Sequence, residues 1–227
     1  MTLAMLVVLA LLVSLGLWQL HRAHEKQALF DAFEQNRDAP TAIDVNSSAV
    51  KRYARIEASG HYDGAHQVLI DNMMNGERAG YYVITPFELD GGGTILVNRG
   101  WVPLGASRAR LPPVEVTGEQ TMIHGRADHL PAAGIQLGNR IPLKPPYPVV
   151  AGFPTRAEIG ALLNQPRFSE ASDVLLLDAK EAHGYVRNWA PPGFPPMRHL
   201  GYAVQWFGLA AALIVIYVVT NLKPVKA

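Results

Sequence analysis

Two apolar runs frame this chain, and between them the pattern of positions changes character. The first is TLAMLVVLALLVSLGLWQL, Thr2 to Leu20, and carries no charge. At about 1.5 Å per residue it makes a helix of roughly 28 Å, close to the roughly 30 Å of a bilayer's hydrocarbon core. It ends in Trp18-Gln19-Leu20, and no small-residue cleavage site follows, so it reads as a retained span and not as a signal peptide. The second run, Tyr202 to Leu222, is of similar length. Trp206 and Tyr217 stand toward its two ends, where amphipathic rings favour the headgroup level. The pattern divides the chain into a span over 2–20, a helical stalk over 21–38, a domain over 39–197, a second span with its opening turn over 198–222, and a tail over 223–227. The stalk keeps only Leu29 and Phe33 as an apolar pair four apart, and Asp38-Ala39-Pro40 ends it.

Inside the frame the period shortens to two. RYARIEASGHY (52–62), HQVLIDN (66–72), GYYVITPFEL (80–89), TILVNRGW (94–101), EQTMIHGRAD (119–128), DVLLLDA (173–179) and HGYVRNW (183–189) read as strands. Asn75-Gly76 and Asp90 to Gly93 mark turns between them. The fold class expected is a membrane protein with two transmembrane helices flanking a mainly β (α+β) extracytoplasmic domain, a small antiparallel barrel or sandwich with one or two short helices. GNRIPLKPPYPVVAGFP (138–154) reads as an extended proline-rich surface loop. TRAEIGALLNQ (155–165) opens with Thr155 and Glu158, a capping box, and predicts a short helix. The prolines of APPGFPPM (190–197) stiffen the link to the second span.

Charge sets the orientation. Lys223 and Lys226 follow the second span, and the positive-inside rule keeps that end in the cytoplasm. Two spans then put both ends there and the β-rich domain outside, in a bacterial periplasm or, alternatively, a mitochondrial intermembrane space. The formal net charge of the whole chain is +1, so no global field attracts nucleic acid. The absence of cysteine excludes disulfides, thiolate metal sites and cysteine-attached haem.

Candidate chemistry is sparse in the middle and concentrated at the membrane. None of the eight histidines forms a strong metal spacing, and no nucleotide-binding or hydrolase fingerprint is present. His61 and His66 flank a turn at Asp63-Gly64, but two imidazoles do not define a metal site. ILVNRGWVP (95–103) delivers Arg99-Gly100-Trp101 from a strand. That triplet suits either a buried tryptophan with an arginine holding a neighbouring group or a partner-binding surface rich in hot-spot residues. At the start of the second span, His199, Tyr202 and Trp206 fall at i, i+3 and i+7 and share one helix face. Neutral imidazole is a common axial ligand of haem iron, and the two rings would cover a porphyrin edge. Spacing alone favours the simpler reading, an interfacial aromatic belt. On the first span, Trp18, Arg22 and Lys26 follow at i, i+4 and i+8 at the same interface.

Four stretches, in order, resemble one family: GLWQLHR at 16–22 with Lys26 following, GYYVITPF at 80–87, ILVNRGWVP at 95–103, and HLGYAVQWFGLA at 199–210. The chain is similar along nearly its whole length to the surfeit-locus (Surf/Shy) family of cytochrome c oxidase assembly factors. The resemblance implies a non-enzymatic factor, working with the catalytic subunit of a haem–copper oxidase and with haem a synthase or other assembly factors, in a bacterial inner membrane or its mitochondrial counterpart. Bacterial members are thought to bind haem a. The family's histidine near the second span matches His199, which makes it the candidate iron ligand. Its tryptophan in the first span matches Trp18, and its glycine–tryptophan pair matches Gly100-Trp101. On that reading His199, Tyr202, Trp206, Trp18 and Arg22 form the haem site, with Arg22 or Lys26 near the propionates. The family often carries an aromatic residue where this chain has Glu25. The alternatives are a membrane-anchored hydrolase using Asp71, His66 or His183, and a sensor with an outside ligand domain.

Overall fold

A computed structural model describes residues 2–35, 40–44, 46–105, 107–134, 142–164 and 167–221 of the chain. The end of the stalk at Asp38-Ala39 and the lysines of the tail lie outside the described residues. In chain order the elements are α1 (Thr2–Gln35), β1 (Thr41–Ala42), β2 (Arg55–Tyr62), β3 (Val68–Asn75), β4 (Arg78–Leu89), β5 (Thr94–Pro103), β6 (Thr121–Asp128), β7 (Val149–Ala151), α2 (Arg156–Leu163), β8 (Val174–Leu177) and α3 (Pro196–Asn221). They form two compact units, one of Met1–Gln35 with Ala190–Ala227 and one of Asn36–Trp189.

In the first unit, α1 runs unbroken from the apolar run into the stalk as far as Gln35. Both α1 and α3 are long and apolar enough to cross a membrane, and most of their apolar side chains are exposed. Leu3, Val7, Leu11, Val204, Val215 and Val219 all face outward, which a water-soluble helix pair would not tolerate and lipid would cover.

The second unit is a mainly β domain built round a small barrel. β2 shows the period-two alternation most plainly: Ile56, Ala58, Gly60 and Tyr62 are buried and the residues between them are not. Hydrogen-bonded neighbours run β2–β6–β8–β5–β4, and β4 returns to β2 through Gly60 to Tyr62 against Phe87 to Leu89. The ring is antiparallel except at one seam, where β5 and β8 run parallel. Closure demands glycine at position 60, because a Cβ there would lie 1.9 Å from the Glu88 carbonyl oxygen. The inner core holds Ile56, Ala58, Tyr62, Phe87, Ile95, Val97, Ile123, Leu175 and Leu177. A second core forms on the outer face, where Val68, Ile70, Ile84, Leu96, Trp101 and Leu176 pack with Ile159 of α2. α2 begins as its capping box requires: Thr155 accepts from the Glu158 backbone N–H, and the Glu158 carboxylate accepts from the Thr155 N–H at 2.7 Å.

Two expectations need correction. HGYVRNW is not a strand. Only Val186 bridges to Trp101, with Tyr185 N–H donating to the Arg99 carbonyl at 2.7 Å, and His183 adopts a left-handed backbone (φ 60°) that breaks the extended run. The proline-rich stretch is not all loop: Val149 to Ala151 add to the sheet as a parallel neighbour of β3, because the apolar pair Val149-Val150 and Ala151 carry no proline that would cost a ladder bond. The rest of that stretch up to Ile141 lies outside the described residues.

Candidate functional site

The two long helices meet along a seam of small residues. Gly16 and Ala23 on α1, and Ala203 and Ala210 on α3, are buried, and a Cβ added at Gly16 would lie 2.6 Å from the Phe207 ring. Small side chains let the two backbones approach closely. The contacts fix an antiparallel register. Thr2 Oγ1 and Tyr217 OH are 2.7 Å apart at one end, and Lys26 Nζ donates to the Pro192 carbonyl at 2.9 Å at the other. Between them, His199 Nδ1 lies 2.8 Å from the side-chain oxygen of Gln19.

That register places Trp18 level with Tyr202 and Arg22 level with His199. Helical stepping of about 100° per residue sets Arg22 and Trp18 on one flank of α1, and His199, Tyr202 and Trp206 on one flank of α3. Trp18 and Tyr202 are 53% and 44% exposed, while His199 and Trp206 are half-buried nearer the seam. His199, Tyr202 and Trp206 therefore share one flank of α3 with Arg22 level with His199, while Trp18 stands about 140° or more round α1 from Gly16 and Ala23 and faces away from the seam. Arg22 is not idle there. Its guanidinium donates to Glu25 at 2.5 Å, and Glu25 also takes His21 at 3.1 Å.

Arg99, Gly100 and Trp101 sit in the β domain, and all three are buried. Gly100 (φ 116°) forms a bulge in β5, visible as the register slip between Ile84↔Asn98 and Tyr82↔Trp101. A bulge inserts one residue and reverses the facing of those that follow. Arg99 continues the inward parity of Ile95 and Val97 and caps the inner core; Trp101, two residues on, turns to the outer core instead. Arg99 is 1% exposed. Its Nε donates to Thr85 Oγ1 at 2.8 Å, Nη1 to the His183 carbonyl at 2.9 Å, and Nη2 to Gln67 Oε1 at 2.6 Å and to the Val114 carbonyl. No carboxylate pairs with it among the described residues, and burial lowers its affinity for the proton below the ordinary value while Tyr185 and Tyr62 offset part of that. Trp101, 5% exposed, donates its indole N–H to the Met73 carbonyl at 2.8 Å. Among the described residues, the hydrogen bonds of the Arg99 and Trp101 side chains are internal to the β domain.

The other candidates stay apart. His66 pairs with Asp63 at 2.7 Å and His61 with Glu88 at 3.1 Å, so the two imidazoles do not meet. Asp71 is held by Arg108, and His183 stacks edge-on to Tyr62 at 6.3 Å. His66, Asp71 and His183 share no contact that would join a nucleophile to a base. Among the described residues, no three of His, Asp and Glu gather as a metal-binding group.

Comparison with known proteins settles the family. Residues 6–211 match the SURF1 family. The chain belongs to the SURF1 family. A SURF1-like protein of Rickettsia bellii is 30% identical over 224 residues, covering 95% of this chain and 88% of that protein. A SURF1-like protein of Monosiga brevicollis is 25% identical over 97% of this chain and 87% of that one. Surfeit locus protein 1 of Rattus norvegicus is 26% identical over 87% of this chain and 68% of the rat protein. The match covers α1 from residue 6, the barrel domain and α3 as far as residue 211.

Gln19 was missed in the sequence reading, although it stands in the quoted GLWQLHR. The available signal was an amide at the end of an apolar run, on the same helix face as Gly16 and Ala23. Gln67 and Thr85, which hold Arg99, were missed as well; polar residues at core-facing strand positions were the signal.

Proposed function

We propose that this SURF1-family chain is a non-enzymatic assembly factor for a cytochrome c oxidase of the haem–copper type, holding haem a for the catalytic subunit. The observation that carries the reading is the flank of α3 where His199, its Nδ1 already engaged by Gln19, shares one helix face with Tyr202 and Trp206. Nε2 of His199 has no hydrogen-bond partner among the described residues. A neutral imidazole with its other nitrogen hydrogen-bonded is the usual form of an iron ligand. The donor set also fits the rest of the group. Tyr202 and Trp206 supply flat apolar surface at membrane depth, and Arg22 stands at the end where carboxylate side arms would meet water. When bound, haem a brings the redox centre that the oxidase needs; the protein's own part is to hold it, cover it from water and present it.

The site's place in the membrane follows from the same reading. α1 and α3 are the two spans of a bacterial inner-membrane protein, and the barrel domain lies in the periplasm, the side on which Arg22 and His199 emerge. The partners of this proposal are the oxidase catalytic subunit and, upstream, the enzyme that makes haem a. A pull-down of the tagged full chain in mild detergent tests it. The oxidase catalytic subunit should co-purify from wild-type cells. Its absence from the eluate, under conditions where the oxidase itself stays soluble, counts against the assembly role.

A further inference from the structure

We infer that Gln19 is a positioning residue for His199: its side-chain oxygen holds the imidazole in the tautomer that carries its proton on Nδ1 and leaves the Nε2 lone pair free. The ligand half of this inference rests on the haem reading above; the tautomer half does not. A neutral imidazole has one donor nitrogen and one acceptor nitrogen, and an amide oxygen only accepts. The Gln19 oxygen lies 2.8 Å from Nδ1, so Nδ1 is the donor and Nε2 the acceptor. An unconstrained neutral imidazole in water prefers the opposite form, with its proton on Nε2. A pocket that needs Nε2 as a ligand must therefore fix the proton on the other side, and the oxygen of Gln19 does so.

The surroundings explain why the two side chains meet. Gln19 lies on the seam between Gly16 and Ala23, and His199 one turn before Ala203. Buried Gly16, Ala23 and Ala203 set the spacing of the backbones, so a side chain of glutamine's length spans the gap. An amide in an otherwise apolar span also needs a partner, which makes the contact self-reinforcing. Leucine at position 19 would suit lipid and seam equally well and would leave the ring free to choose its tautomer.

The test uses the full chain in lipid nanodiscs with 15N-labelled histidine, the His199 signals being assigned by their loss in His199→Ala. Wild type should show the Nδ1–H tautomer without any haem present. Gln19→Leu should move the signals to the Nε2–H form, and Gln19→Glu, whose carboxylate accepts at both oxygens and has no N–H to turn toward the ring, should restore a proton on Nδ1. A wild-type ring protonated on Nε2, or a Gln19→Leu spectrum unchanged from wild type, overturns the inference. Titration with ferric haem then separates it from the functional reading. Gln19→Leu should bind haem about 10–100-fold more weakly than wild type, as loss of a histidine's hydrogen-bond partner usually does. Gln19→Glu should recover the affinity and lower the haem's midpoint potential, since a carboxylate partner makes the imidazole a stronger donor. If His199→Ala loses haem while Gln19→Leu binds like wild type, the positioning role is wrong and the haem reading stands. If wild type and His199→Ala bind haem equally, the haem reading falls and the tautomer result stands on its own.

Discussion

Among the described residues Arg99 is a buried cation held by neutral groups: the Thr85 hydroxyl, the Gln67 amide, the carbonyls of Val114 and His183, and the rings of Tyr62 and Tyr185. Replacing it strands those mostly buried acceptors, a penalty larger than the relief of removing a buried charge. Arg99→Met should destabilise the β domain by about 2–4 kcal/mol, and Arg99→Lys by nearly as much, because one ammonium cannot reach acceptors spread round a planar fork. Urea unfolding of the full chain in detergent, followed by tryptophan fluorescence, measures both. Tyr62 behaves oppositely. Its hydroxyl has no hydrogen-bond partner among the described residues, and burial pushes its ionisation up to about 12 against the pull of Arg99. Tyr62→Phe should therefore match wild type or exceed it by about 1 kcal/mol at neutral pH. A phenol whose folded value is raised contributes stability that is intact below its unfolded value of 10.0 and lost as pH rises toward about 12. The advantage of Tyr62→Phe should stay constant below pH 10.0 and grow above it at roughly 1.4 kcal/mol per pH unit. An advantage that does not change between pH 9 and about 12 contradicts the assignment.

At the scale of elements, alternation made β2 and β6 legible, and short apolar runs bounded by turn residues did the same for β5 and β8. What alternation could not show was the bulge at Gly100. A two-residue period puts Arg99 and Trp101 on one face, and only the positive φ at Gly100 sends them to different cores. Gly100→Ala should cost about 2–4 kcal/mol, because the new Cβ meets the Val186 carbonyl at 2.7 Å as well as an unfavourable backbone. The same urea experiment reads it. The parallel seam of β5 with β8 was equally hidden, because pairing partners distant in sequence leave no local trace. In the helix pair, the aromatic face of α3 was readable from spacing, whereas the face α1 turns to it depended on Gly16. Gly16→Ile should push Phe207 and the two helices apart and shift the His199 nitrogen signals as Gln19→Leu does. Gly16→Ala adds one methyl that the ring can swing away from, and should leave those signals in place.

At the scale of the whole molecule, two apolar helices and a barrel domain were all visible in the pattern of positions, and the family in four short stretches. The proposed site was legible only in part. Five candidate side chains could be named because tryptophan, tyrosine, histidine and arginine stand out against an apolar run. Gln19, which touches His199, did not, because its role depends on the register of two helices separated by the whole β domain in sequence. Whether this flank holds haem through His199 is read most directly from the absorption spectrum of the full chain purified in mild detergent from cells that make haem a, beside His199→Ala prepared in the same way. Wild type should show a haem a spectrum, and His199→Ala should lose it by at least about tenfold in occupancy. Equal occupancy in the two proteins, or none in wild type, contradicts the haem reading.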